Sequence, residues 1–112
     1  RVVGIDIDPQ ALLASQDNAN RNDIGEKIEL YLPEHQPELK ADVVLANILA
    51  APLRELRTVI TGYCKPVGKL VLSGILDNQA QEINDLYSQD FHMEPIEIDG
   101  EWARVSGVKI TP

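Results

Sequence analysis

The sequence predicts an α/β fold, a mostly parallel sheet finished by an antiparallel hairpin, and three observations carry that prediction. Aromatic residues make up only 4% of the 112 positions, so the core must be built from Val, Ile, Leu and Ala, the usual filling of a sheet covered by helices. Strand-like apolar runs alternate with stretches of helical periodicity in the order β-α-β-β-α-β-α-β-β, the pattern of a parallel sheet with helical crossovers. Near the end, Asp99-Gly100 sits between two alternating segments, a two-residue hairpin signal. A chain of this length is one domain at most.

Residues 1–8, R-V-V-G-I-D-I-D, open directly in a strand. Asp6 and Asp8 lie two apart, so in an extended chain they project to the same side, and two nearby carboxylates repel unless each has its own partner. Asp8 precedes Pro9, which suits a helix N-cap followed by proline at the first helical position. Asp6 is then either an acceptor for a pair of vicinal hydroxyls, as an acid after a strand is for ribose in nucleotide-binding sheets, or a solvated loop acid. A helix is expected over 9–22, with Leu12 and Ala19 on one stripe and Ala11 and Ala14 widening it; residues 22–25, N-D-I-G, end it. Residues 27–32, K-I-E-L-Y-L, alternate like a short strand, and 33–40 form a polar loop. His35 in that loop has no Cys or second His at ligand spacing, so it is expected at the surface, as is His92.

Residues 41–50 read A-D-V-V-L-A-N-I-L-A. The aliphatic run predicts a strand buried on both faces, broken at Asn47. Ligands of open α/β sheets sit beyond the carboxyl ends of the strands, and an Asn amide there can donate and accept without carrying charge. The alternative is that Asn47 only starts a turn. Pro52 suits the first turn of a helix whose stripe, Leu53, Leu56, Val59, Ile60 and Tyr63, is expected in the core. Residues 65–68 predict a turn, 69–75 a buried strand, and 78–89 a polar helix with Ile83, Leu86 and Tyr87 inward. Gly74 near the strand's end suggests close backbone approach. The hairpin follows in 93–110, where Trp102 is expected to cover the end of a core rather than to serve as a substrate platform.

The formal charge of −8 argues against a surface built to follow a phosphate backbone, so no direct nucleic-acid partner is expected. The same charge either serves solubility, the commoner use of an acidic surface, or attracts a basic protein or a cationic small molecule. Cys64 is the single cysteine; an internal disulfide is excluded, a reducing cytoplasm is the expected compartment, and the side chain is expected to pack at a helix end. No apolar run approaches a membrane span and the N-terminus lacks signal-peptide character, so neither export nor anchoring is expected. No G-x-G-x-x-G occurs anywhere.

Taken together, V-V-G-I-D-I-D-P, A-D-V-V-L-A-N-I-L-A, K-P-V-G-K-L-V-L-S-G-I-L and the late G-E-W resemble the class I S-adenosylmethionine-dependent methyltransferases, and most of all the bacterial ribosomal protein L-eleven methyltransferase family. The resemblance implies a Rossmann-like sheet, with residues 1–112 forming part of a catalytic domain from its second strand to its last. The family's first strand with its Gly-rich turn, and its separate substrate-recognition domain, would precede Arg1. It further implies S-adenosyl-L-methionine as cofactor, with Asp6 on the ribose hydroxyls, the backbone around Ile7 bordering the adenine, and Asn47 beside both the methionine part and the incoming amine. Asn47 matches the Asn that opens the Asn-Pro-Pro-Tyr type motif of amine and amide methyltransferases. Here Ile48-Leu49-Ala50 replaces Pro-Pro-aromatic, which suits a flexible lysine or N-terminal amine better than a planar amide or base.

The implied activity is methyl transfer to lysine and N-terminal amines of a ribosomal large-subunit protein. Two rivals are a glutamine-amide or nucleobase methyltransferase and a non-catalytic Rossmann-like module. Without the central strand two edges lack partners, so the chain taken alone is expected to self-associate through them and to be inactive.

Overall fold

The computed structural model describes residues 2–6, 8–35 and 38–110. Its strands fall into two hydrogen-bonded sheets, and the chain divides into two compact units, residues 1–38 and 39–112.

In the first unit, β1 (Val2–Ile5) and β2 (Ile28–Tyr31) pair in parallel with Val2 opposite Ile28. The helix between them, α1 (Pro9–Arg21), starts where Asp8-Pro9 requires: Asp8 Oδ1 accepts the Gln10 N–H at 2.9 Å and Pro9 takes the first turn. Asn22 ends the helix. Ala19 is buried and Leu12 and Ala11 are half-buried, whereas Ala14, expected on the same stripe, is exposed. A short helical turn, Pro33–His35, opens the predicted polar loop, and His35 is exposed.

The second unit has β3 (Ala41–Asn47), β4 (Cys64–Leu76), β5 (Phe91–Met93), β6 (Glu97–Asp99) and β7 (Trp102–Lys109). Their order is β3-β4-β7-β5, with β6 also on β7. β3 and β4 are parallel, and β7 is antiparallel to β4, β5 and β6. The hairpin signal is realised: Asp99 pairs with Trp102 across Gly100-Glu101, and Gly100 takes φ 63°, as the first turn position of this hairpin demands. Pro95 separates β5 from β6, so the two share one edge of β7 as consecutive short pieces.

Paired residues point to one side of a sheet, and the register therefore sorts its two faces. Val44 stands beside Leu70, Ala46 beside Leu72 and Val105, and Ile75 beside Ala103. All of these belong to or pack on one core cluster, together with Leu53, Ile60, Ile83, Tyr87 and Phe91 from the helices and β5. The opposite face carries Val43, Leu45, Asn47, Ser73, Trp102 and Arg104. This corrects the expectation that residues 41–47 are buried on both faces: Val43 is 54% and Leu45 74% exposed, because the helices of this unit all contribute to the core on the other side.

Two further expectations change. The helix over 52–63 is two helices, α2 (Ala50–Glu55) and α3 (Arg57–Tyr63), parted at Leu56, whose φ of −97° and ψ of 12° break the helical repeat. Leu53 and Ile60 stay buried while Leu56 and Val59 are exposed. The turn predicted at 65–68 lies inside β4, where Ala41 pairs with Cys64 but Val43 with Lys69, so the extra residues loop out and Val67 takes φ 57°. The last helix, α4 (Ala80–Tyr87), buries Ala80, Ile83 and Tyr87 and follows a short turn at Asp77–Gln79.

Side-chain bonds tie these elements together. The Tyr87 hydroxyl donates to the Leu53 carbonyl at 2.8 Å, and Lys109 Nζ donates to the carbonyls of Thr61 and Cys64 at 3.0 and 2.8 Å, closing the C-terminal end of α3. Arg57 and Asp90 form a half-buried ion pair at 2.5 Å. Cys64 is buried at that helix end, as expected, and burial pushes its thiol pKa up.

Candidate functional site

Asn47 is the last residue of β3 and pairs in parallel register with Ser73 of β4. Asn47 lies at the carboxyl end of β3 and Ser73 three residues before the end of β4, both on the sheet face that the core leaves open. This is where an open α/β sheet places its ligand-binding groups. Asn47 is exposed, and its carboxamide makes no hydrogen bond among the described residues, which leaves its donors and acceptor available.

An open depression of about 650 Å³ lies against it, lined also by Ser73, Gly74, Trp102 and Arg104. Glu97 and Asp99 of β6 line the same depression, and Glu97 is paired with Arg104 across the hairpin. Trp102 is 50% exposed here, which corrects the expectation that it covers the end of a core: its register neighbours Asp99 and Leu76 hold it on the outer face.

Asp6 follows β1 directly in the first unit. Its Oδ1 accepts the Asp8 backbone N–H at 2.9 Å, and its own N–H donates to the Tyr31 carbonyl at 3.2 Å. The carboxylate is exposed, and its second oxygen accepts no hydrogen bond among the described residues. Asp8 is occupied as the cap of α1, so the two acids do have different jobs. Ile7 lies outside the described residues. Asp6 and Asn47 belong to different units, and each is placed within its own.

The sequence over residues 1–110 matches the family described as Ribosomal protein L11 methyltransferase (PrmA). The chain belongs to this family. Among its curated members, the protein from Pseudoalteromonas atlantica is 87% identical over 107 residues, 96% of this chain and 37% of that protein. The member from Vibrio vulnificus is 56% identical over 110 residues, 97% of this chain and 37% of that protein. The chain thus spans little more than a third of the length of these relatives.

Among solved structures, a ribosomal protein L11 methylase from Lactobacillus delbrueckii superposes with a TM-score of 0.83 at 25% identity, over 98% of this chain and 58% of that one. An RNA methyltransferase from Salinibacter ruber, solved with S-adenosyl-L-homocysteine, superposes with a TM-score of 0.74 at 16% identity, over 100% of this chain and 67% of that one, a likeness of fold alone. The family expected from the motifs is the family found, and the fold is that of the class I methyltransferases.

The depression also holds residues that sequence reasoning passed over: Ser73, Glu97, Ile98 and Arg104. A usable signal existed. In E-I-D-G-E-W-A-R the hairpin turn fixes the register, and period-two alternation then puts Glu97, Asp99, Trp102 and Arg104 on one face.

Proposed function

We propose that the full-length protein transfers methyl groups from S-adenosyl-L-methionine to lysine and N-terminal amines of the large-subunit ribosomal protein L11, and that residues 1–112 are part of its catalytic domain. Family membership over residues 1–110 is the observation that carries this reading. The chemistry of the chain's own residues supports it. Asp6, just past the end of a strand, keeps one carboxylate oxygen free among the described residues, an acceptor suited to a ribose hydroxyl. The backbone near Ile7 is proposed to border the adenine.

When bound, S-adenosyl-L-methionine supplies a methyl group on a sulfonium, already a good leaving group, so the protein's task is chiefly to position a neutral amine. Asn47 Oδ1 can accept an N–H of that amine, which orients the nitrogen lone pair without adding charge. A lysine has an ordinary pKa of about 10.4 and must shed a proton before it attacks. Glu97 and Asp99 on the rim of the depression favour the approach of a cationic side chain, in keeping with the net charge of −8. The site is proposed to act in the cytoplasm. In the chain taken alone, β3 is hydrogen-bonded on one edge only among the described residues, the surface through which self-association is proposed.

The test is transfer of labelled methyl groups to purified ribosomal protein L11 by the full-length enzyme. Asn47→Ala is expected to lower kcat by about 100-fold with little change in cofactor affinity, the scale of a lost positioning contact. Asp6→Ala is expected to raise the KM for S-adenosylmethionine by about 10-fold, the scale of lost charge-assisted hydrogen bonds, with kcat largely kept. Normal turnover by Asn47→Ala would remove Asn47 from the mechanism.

A further inference from the structure

β4 carries an irregularity at the place where it passes Asn47. Leu72 pairs with Val105 but Ile75 with Ala103, so β4 advances three residues while β7 advances two. The extra residue is accommodated at Ser73-Gly74, and Gly74 takes φ 81°. This is a β-bulge with glycine in the left-handed region, a device that re-aims neighbouring groups and that an L side chain cannot easily reproduce.

The bulge turns the α-carbon of Gly74 toward the end of β3. A β-carbon added there would lie 2.8 Å from Asn47 Oδ1, 2.9 Å from the Ile48 carbonyl oxygen and 3.2 Å from the Ile48 nitrogen. Two hydrogen-bond acceptors, one side-chain and one backbone, therefore converge on a single bare α-carbon. The carboxamide could swing away from an added methyl group, since it is the end of a side chain. The Ile48 peptide could not do so without moving the turn after β3.

We propose that Gly74 is a positioning residue for methyl transfer: its missing side chain lets the Ile48 peptide stand close to β4, and through that peptide it sets where the Asn47 carboxamide stands. The proposal rests on the reading of Asn47 given above. Gly74 touches neither substrate nor cofactor in this role, and its effect passes through the residues at the end of β3. Substituting it should slow the chemical step while leaving cofactor capture, which the proposed function gives to Asp6 and its surroundings, largely intact.

The experiment uses the full-length enzyme with S-adenosylmethionine and purified ribosomal protein L11, and compares Gly74→Ala, Asn47→Ala and the double variant. Gly74→Ala is expected to lower kcat by at least about 10-fold and to leave the KM for S-adenosylmethionine within about twofold. The double variant is expected to fall within about threefold of Asn47→Ala alone, because the second substitution disturbs a group already removed. Wild-type kcat in Gly74→Ala, or losses that multiply in the double variant, overturns the proposal.

If thermal unfolding shows that Gly74→Ala does not fold, Gly74→Asn replaces it, since Asn tolerates positive φ yet carries a β-carbon. A lowered kcat in that folded variant supports the proposal and a wild-type kcat overturns it. Normal turnover by Asn47→Ala overturns the reading of Asn47 together with the proposal. An impaired Asn47→Ala beside an unimpaired Gly74→Ala overturns the role of Gly74 alone.

Discussion

The two units of this chain are built to different depths. Residues 39–112 are roughly twice as long as residues 1–38, yet among the described residues thirteen buried apolar side chains form the core cluster of the longer unit, while Ala19 alone is buried in the shorter one. The difference lies in architecture rather than composition. A two-stranded parallel ladder with one crossover helix can cover little surface, whereas a five-stranded sheet with three helices closes a core. Asn47 hangs from the deep unit and Asp6 from the shallow one. The group proposed to align a reacting nitrogen thus sits on the better-packed support, and the group proposed to grip a sugar on the lesser one.

The largest effect that tests this contrast comes from the cores themselves. Leu72, fully buried, should lose about 3–4 kcal/mol on substitution by Ala, through lost transfer energy and the cavity left behind. The same change at Leu30, half-buried in β2, should cost about 1–2 kcal/mol, because part of that surface is already wet. Urea denaturation of the two variants measures both, and equal losses would abolish the distinction.

An intermediate effect is expected at Tyr87. Burial pushes its phenol pKa up to about 12, and its hydroxyl bonds to Leu53. The folded pKa lies above the unfolded value near 10, so this contribution is fully present below about pH 10 and disappears as pH rises through the folded value. Tyr87→Phe should therefore destabilise by about 1 kcal/mol at neutral pH and flatten the fall in stability between about pH 10 and 12. Thermal melts across that range read both signs.

The smallest effect concerns a blemish in the deeper unit. Val67 is β-branched, 69% exposed and held at φ 57°, a conformation costly for any L residue. Val67→Gly should raise stability by about 0.5 kcal/mol after the added freedom of the unfolded chain is subtracted. A drop in the denaturation midpoint would show that the Val67 side chain packs usefully after all.

Legibility from sequence followed the range of the interaction. The start of α1 was readable because Asp8-Pro9 acts within one turn, and the hairpin because Gly100 supplies a positive φ locally. Asn47 was readable because a strand's end is marked where its aliphatic run breaks. The break at Leu56 was not, since no Pro or Gly announces it and the apolar stripe runs straight through. Nor was the openness of the Val43 and Leu45 face, because an aliphatic run looks the same whether one or both faces are covered. The bulge at Gly74 was half readable: the glycine announced a close approach, but the atoms it approaches were known only once β3 and β4 were in register.

Every strand that β7 joins has been made before it. β4, β5 and β6 all precede residue 102, and β5 and β6 have no partner other than β7 among the described residues. During synthesis, which proceeds at about 5–20 residues per second, this unit cannot close as it emerges. Its edge pieces stay unpaired until the segment carrying Trp102 to Lys109 is free of the exit tunnel, and Lys109 then locks the end of a helix completed more than forty residues earlier. Closure of this unit waits on β7.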